Sequence, residues 1–284
     1  MRGWPLKAAP NPFTDPDRVN GPLYADETRI ARRTAALRRA RVSGRHAGEV
    51  IAGLAAAFAP TTGSLTLVDL GCGRGTTTRL LVSCLPAATV AAVDLSAAML
   101  ASVRGRLARV PGHVTLVRAD FHQQPFADSS CDVIVVAFCL YHSAHPQTVV
   151  AEIARCLRSG GTAIFAVKSR DSYQELDELI AAGGIDPDAV SRPSLYETAH
   201  SGNIAELAAT SLVTEQVIHE THQFCFPTLA DAARYLATSP KYGLPADHDP
   251  VDLARALQRE LPDQPVITTS VVTYLVATRP RGSR

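Results

Sequence analysis

The sequence has no uninterrupted apolar run near the ~20 residues that a membrane-spanning helix requires, so no membrane partner is expected. Residues 1–22 are rich in Pro, Asn and Asp and lack an apolar h-region. They read as a loose N-terminal arm and not a secretory signal, with the cytoplasm as the default compartment. The six cysteines form no CxxC pair and several sit in apolar runs, which argues for reduced thiols and no zinc or other metal site. Charge of one sign is also lacking: the formal net charge is +1, which provides no global field for steering nucleic acid or acidic lipid. Small-molecule partners are favoured. The arginine-rich stretch at 27–46 is a local departure, but its apolar residues Ile30, Ala31, Leu37 and Val42 predict a helix whose arginines lie mostly on a solvated surface. No internal repeat or low-complexity tract is evident.

What is present is a globular composition, 46% hydrophobic and 19% charged over 284 residues. This is enough for one large α/β domain or a core with an appended unit. Between residues 64 and 168, short β-branched runs ("LTLVDL", "ATVAAVDL", "VTLVR", "DVIVVAF", "TAIFAVK") alternate with helical patterns near 76–84, 97–110 and 146–158. That alternation predicts a parallel sheet covered by helices on both faces. Two helices are expected before it, near 25–40 and 45–58. After it the grammar changes: helices near 172–182, 229–238 and 250–260 surround a strand at 214–226, and a β-rich run at 266–279 closes the chain. The last two strands are expected to pair antiparallel, with the helical pieces inserted as a cap. The division expected is an arm and helix at 1–44, a core at 45–170, and a C-terminal part with the cap at 171–284.

Within "LTLVDLGCGRGTTTRLL", glycines 71, 73 and 75 sit where a first strand hands over to a helix, the place where open parallel sheets bind ligands. Glycine there lets backbone approach a ligand closely. A dinucleotide fingerprint would need a glycine at Thr76, and the preceding acid, Asp69, suits a ligand that carries positive charge. Asp94 ends the next strand about 20 residues on, where a carboxylate can accept both ribose hydroxyls. Asp120, after the third strand, can accept from an adenine amino group, with Phe121 beside it as an apolar face.

With these residues in place, "VDLGCGRGTTT", "VDLSAAML", "RADFHQQPF", "DVIVVAFCLYH" and "EIARCLRSGG" resemble, in order, the motifs of class I S-adenosylmethionine-dependent methyltransferases. The similarity is strong over about residues 45–168 and lies toward the small-molecule branch that includes ubiquinone and menaquinone methyltransferases and tailoring enzymes of secondary metabolism. The resemblance implies a Rossmann-like fold with a mostly parallel seven-stranded sheet and a helical cap. Its implied cofactor is S-adenosyl-L-methionine, leaving S-adenosyl-L-homocysteine. Asp69 and the turn Gly71, Cys72, Gly73 and Gly75 would hold the methionine portion, Asp94 the ribose, Leu95 and Met99 the nucleoside, and Asp120 with Phe121 the adenine. Arg45 would reach the cofactor carboxylate.

The end of the fourth strand, "AFCLYHSAHP", is where an acceptor would meet the methyl group. His142 is the expected general base, because imidazole titrates near neutrality. An equal alternative has it packing against the cap or binding a backbone carbonyl. Tyr24, Tyr141, Tyr235 and Tyr242 are the expected walls of the acceptor pocket. The absence of an Asn/Asp-Pro-Pro-aromatic segment at this strand end excludes amide and adenine-N6 acceptors. The functional expectation is O-methylation of a small-molecule natural-product intermediate, with a homodimer left open. N- or C-methylation, or a rearrangement or binding role for the bound cofactor, are the alternatives.

Overall fold

The computed structural model describes residues 11–61, 63–242, 244 and 249–281. Two helices precede the sheet after a short turn of helix: α1 (Pro16–Val19), α2 (Thr28–Ala40) and α3 (Ala47–Phe58). Then β1 (Thr66–Leu70), α4 (Thr76–Cys84), β2 (Thr89–Asp94), α5 (Ala97–Leu107), β3 (His113–Arg118), β4 (Cys131–Ala137), α6 (Pro146–Cys156) and β5 (Leu157–Lys168) follow in alternation. The remainder is α7 (Gln174–Ala182), α8 (Ile204–Ala209), β6 (Val213–Phe226), α9 (Leu229–Leu236), α10 (Pro250–Glu260) and β7 (Val266–Thr278). None of these helices is long and apolar enough to cross a membrane.

One seven-stranded sheet has the order β3-β2-β1-β4-β5-β7-β6. Its first five strands are parallel and β7 runs antiparallel between β5 and β6. The central strands are buried on both faces, which is why β4 reads as a continuous apolar run and not an alternation. Val68, Leu70, Ile134 and Val136 face one core layer; Leu67, Val133 and Val135 face the other, with α3 and α4. The first layer also takes Phe13, Leu23, Ala36 and Ala40 from the N-terminal segment and Leu229, Ala233 and Leu236 from α9.

Strand order reverses between β2-β1 and β4-β5, so the connections leave β1 and β4 on opposite sides and open a crevice at their carboxyl ends. Because β7 runs against β5, β6 is brought back into the same direction as β5. Its last residues therefore end at the same crevice. Helix α2 crosses that crevice and packs against α9 and β6.

Candidate functional site

A cavity of about 890 Å³ occupies the crevice. Leu70, Asp94, Ala137 and Lys168, the last residues of β1, β2, β4 and β5, line its floor, with Phe224 near the end of β6. Residues of α2 form its roof: Ile30, Arg33, Leu37 and Arg38. The N-terminal segment closes one side through Phe13, Val19 and Tyr24.

At the β1 end, the chain turns through Gly71 and Gly73 at positive φ, 67° and 52°. A Cβ at Gly71 would lie 2.6 Å from the Cβ of Cys139, so that glycine allows the β1 and β4 ends to approach each other. A Cβ at Gly73 would meet nothing within 4 Å, and this is the glycine whose missing side chain leaves space for a ligand. Asp94 braces the same turn: its Oδ2 accepts from the Gly73 N–H (2.8 Å) and its Oδ1 from the Ser96 N–H (2.9 Å). Burial raises its pKa above the ordinary carboxylate value. Each carboxylate oxygen keeps an accepting lone pair for a further donor. Leu95, Met99, Cys72, Asp120 and Phe121 line the cavity beside it. Asp120 Oδ1 is engaged by the His122 backbone N–H and ring Nδ1 (2.9 and 2.7 Å), and Oδ2 has no hydrogen-bond partner among the described residues.

Asp69 and Gly75, expected to contact the cofactor, do not line this cavity. Strand alternation puts Asp69 on the opposite face from Leu70. There its Oδ2 accepts from the Thr78 hydroxyl (2.6 Å) and pins the first turn of α4; burial pushes its pKa up to about 6. Gly75 is the left-handed N-cap residue of α4, where a Cβ would press on Val103 at 3.0 Å. Arg45 reaches the rim, but its guanidinium is held by Glu220 of β6, at 3.0 Å from Nε and 2.9 Å from Nη2.

His142 lies in a 3-10 turn, Leu140–His142, that continues β4. It is not an unengaged imidazole: Nδ1 donates to the Phe13 carbonyl (3.1 Å), which leaves Nε2 to accept from the Tyr24 hydroxyl (2.8 Å). Burial pushes its pKa down to about 4, so the ring is neutral across the physiological range. Tyr24 is itself anchored to the cofactor side, because its carbonyl accepts from Ser96 Oγ at 2.8 Å.

Tyr141 lines the cavity, stacked at 5.5 Å on Phe13 and edge-on to Tyr196 at 5.0 Å. Tyr235 and Tyr242 do not. Tyr235 faces the back of α2 and accepts from Arg33 Nη2 (2.8 Å), while Tyr242 donates to Asp177 (2.8 Å). Both are buried behind the roof because α9 packs on α2 and not on the sheet ends.

Sequence reasoning missed the far wall, formed by Phe138, Lys168, Tyr173, Tyr196, His222 and Phe224. The position of Lys168 at the end of a parallel strand was the available signal. Arg32, Arg38 and Arg39 are exposed as expected, but Arg29 and Arg33 share a helical face with Ala36, Leu37 and Ala40, and this face, with Ala36 and Ala40 buried, is turned inward.

Residues 68–165 match the family model of the methyltransferase domain. They form a class I S-adenosylmethionine-dependent methyltransferase domain. The domain is 28% identical over 130 residues to a malonyl-[acyl-carrier protein] O-methyltransferase of Paenibacillus sp., covering 43% of this chain and 46% of that one. It is 32% identical over 111 residues to the ubiquinone/menaquinone biosynthesis C-methyltransferase UbiE of Stutzerimonas stutzeri, covering 38% and 43%. The chain thus spans under half the length of these relatives. The methyltransferase fold is shared with a Bacillus halodurans C-125 protein (TM-score 0.58, 16% identity, 83% of this chain and 100% of that one). It is also shared with the [4+2]-cyclase SpnF (TM-score 0.53, 16% identity, 82% of each). S-adenosylmethionine is the cofactor of this domain, and the residues fit it. The space left by Gly73, the spare lone pairs of Asp94 and the unpaired Oδ2 of Asp120 stand in the order that a methionine tail, a ribose and an adenine require.

Proposed function

We propose that the chain transfers a methyl group to a hydroxyl oxygen of a small-molecule intermediate of natural-product biosynthesis, in the cytoplasm. The observation that carries this reading is the Tyr24–His142 hydrogen bond, at the point where the cofactor end of the cavity meets the end over β4 and β5. A hydroxyl acceptor must lose its proton as the bond to carbon forms, and a phenol backed by a neutral imidazole is a route for that proton. A neutral amine needs no such route before attack.

When bound, S-adenosylmethionine supplies a methyl on a sulfonium sulfur, whose S–C bond breaks with its electron pair staying on sulfur as the new O–C bond forms. Asp94 and Asp120 would hold the nucleoside, and the turn at Gly71–Gly73 would hold the methionine portion. Tyr24 Oη takes the acceptor proton while its own proton passes to His142 Nε2. The Phe13 carbonyl holds the imidazole in the tautomer that can accept it. The resulting imidazolium, disfavoured by burial, returns the proton to solvent once product leaves. Tyr24 and α2 exclude water from the reacting atoms, and alignment supplies the rest of the acceleration.

The test is incubation with methyl-labelled S-adenosylmethionine and hydroxylated acceptors, following labelled ether or S-adenosylhomocysteine. Tyr24→Phe keeps the ring packing and removes the proton route, so it should lower turnover about as much as His142→Ala. Product labelled on nitrogen or carbon, or Tyr24→Phe at full rate on a hydroxyl, counts against O-methylation by this route. Cofactor binding with no transfer to any acceptor would favour a non-transfer role.

A further inference from the structure

The carboxylates of the cavity wall are confined to one side of the strand order, where Arg118 of β3 also lines it and donates to the Leu95 carbonyl. The carboxylates among its described residues, Asp94 and Asp120, belong to the ends of β2 and β3. Opposite them, over β5, β7 and α2, stand Arg33 and Lys168, and neither has a carboxylate within ion-pairing distance among the described residues. Arg33 is satisfied only by phenol: Nη2 donates to Tyr235 and the guanidinium lies 4.9 Å from the centre of that ring. Lys168 donates to the Tyr173 hydroxyl and lies 4.3 Å from its ring centre. His222, from β6, lines the same wall; its Nε2 is buried without a hydrogen bond, 3.8 Å from Glu220 Oε1. Asp177, which lines a small pocket behind α2 with Arg33, is already taken by Lys241 (2.5 Å) and Tyr242.

A guanidinium and an amine enclosed together, with no carboxylate paired to either among the described residues, are costly to charge unless an anion joins them. Burial, and then the charge of Arg33, hold the Lys168 amine well below its usual pKa, so an incoming anion is what would stabilise its protonated form. The rest of this wall is aromatic: Phe138, Tyr141, Tyr196 and Phe224. We infer that the acceptor is a hydroxy acid with a flat apolar body, whose carboxylate is seated between Arg33 and Lys168. This rests on the methyltransferase reading and names its substrate class. The carboxylate is the handle and not the methylated group: two cations neutralise its nucleophilicity, and they stand over β5, away from the Gly71–Gly73 turn at β1. The hydroxyl is left to face Tyr24. A single carboxylate matches the guanidinium and the amine, whereas a phosphate would need further donors.

The experiment is calorimetry and thermal shift on the full chain with matched probes: hydroxyaryl carboxylates, their primary amides and the corresponding phosphomonoesters, each with and without S-adenosylhomocysteine. Acids should bind at least tenfold more tightly than amides. Arg33→Gln and Lys168→Met should each reduce that preference about tenfold or more, the usual size of a charge-assisted hydrogen bond. Arg33→Lys, which retains the charge, should restore most of it. S-adenosylhomocysteine affinity should stay within about twofold in all three variants. Amides or phosphomonoesters binding as well as acids, an acid preference that survives both neutral variants, or no acid binding at millimolar concentration would each overturn the inference. Loss of S-adenosylhomocysteine binding in the unsubstituted protein would instead count against the methyltransferase reading, since the acid preference is read without cofactor as well.

Discussion

Asp94 carries two tasks on one carboxylate. It braces the glycine turn through the Gly73 and Ser96 N–H groups, and its remaining lone pairs are the ones proposed to accept from the ribose. Asp94→Ala should therefore weaken S-adenosylhomocysteine binding by about tenfold or more, from a charge-assisted bond worth roughly 1.5 to 3 kcal/mol. Unchanged affinity by calorimetry in a folded variant would remove Asp94 from the site. Asn at this position keeps the shape and loses the charge, and should fall between the two. His142 makes a different prediction, in pH. Its folded-state pKa, about 4, lies below the ordinary 6.5, so between these values the unfolded chain binds more protons than the folded one. Stability attributable to the neutral ring is present above pH 6.5 and is lost as pH falls toward 4. The melting temperature of His142→Gln should fall less steeply than that of the unsubstituted protein between pH 6.5 and 4.5. Parallel melting profiles would mean that the imidazole titrates as it does in water. Turnover should likewise show no inflection near 6.5, and His142→Ala should lower it by about 10² to 10⁴-fold while leaving cofactor affinity nearly unchanged.

At the scale of elements, most strands and several helices were legible because their patterns are local. The runs ending in Leu70, Asp94, Arg118, Ala137 and Lys168 are strands, and the helices expected at 76–84 and 250–260 have those bounds. The helix expected at 146–158 ends two residues earlier: α6 stops at Cys156, and Leu157 already begins β5, which carries Gly160 and Gly161 within it. Helix α8 went unread, since six residues offer too little periodicity. The cap was harder, because what a helix faces is set by distant partners. The helical pieces after the sheet were expected to form a cap, with Tyr235 and Tyr242 as walls of the acceptor pocket, yet α9 stands behind α2 and does not line the cavity. The N-terminal segment does line it through Phe13, Val19 and Tyr24, and Glu27 ties it to Arg74 (2.8 Å) and Ser102 (2.5 Å). A cover fixed at its ends and crossing the site must open to admit ligand. Hydrogen exchange in residues 13–40 should slow on adding S-adenosylhomocysteine with an acceptor, while α9 should change much less. Equal protection of 13–40 with and without ligands would make it permanent structure.

Across the whole molecule, the cofactor half was readable as a linear series of motifs, and the acceptor half was not. Asp94, Asp120 and the glycines stand at strand ends that follow one another closely in sequence. The opposite wall is assembled from Phe13, Arg33, Lys168, Tyr196 and Phe224, which only the completed sheet and the crossing of α2 bring together. Polarity also misleads there, since a charged residue on an inward helix face counts as solvent-exposed in any periodicity argument. The fold thus sets a carboxylate-lined half over β1, β2 and β3 beside a cationic, aromatic half over β5, β6 and α2, with Tyr24 and His142 at the join. A crystal structure of the full chain with S-adenosylhomocysteine tests this division most directly. The account predicts the ribose hydroxyls on Asp94, the adenine beside Asp120 and Phe121, and the sulfur at the Gly71–Gly73 turn, open toward Tyr24 with unfilled space reaching Lys168. A nucleoside seated instead over β5 against Arg33, or a sulfur facing away from Tyr24, would contradict it.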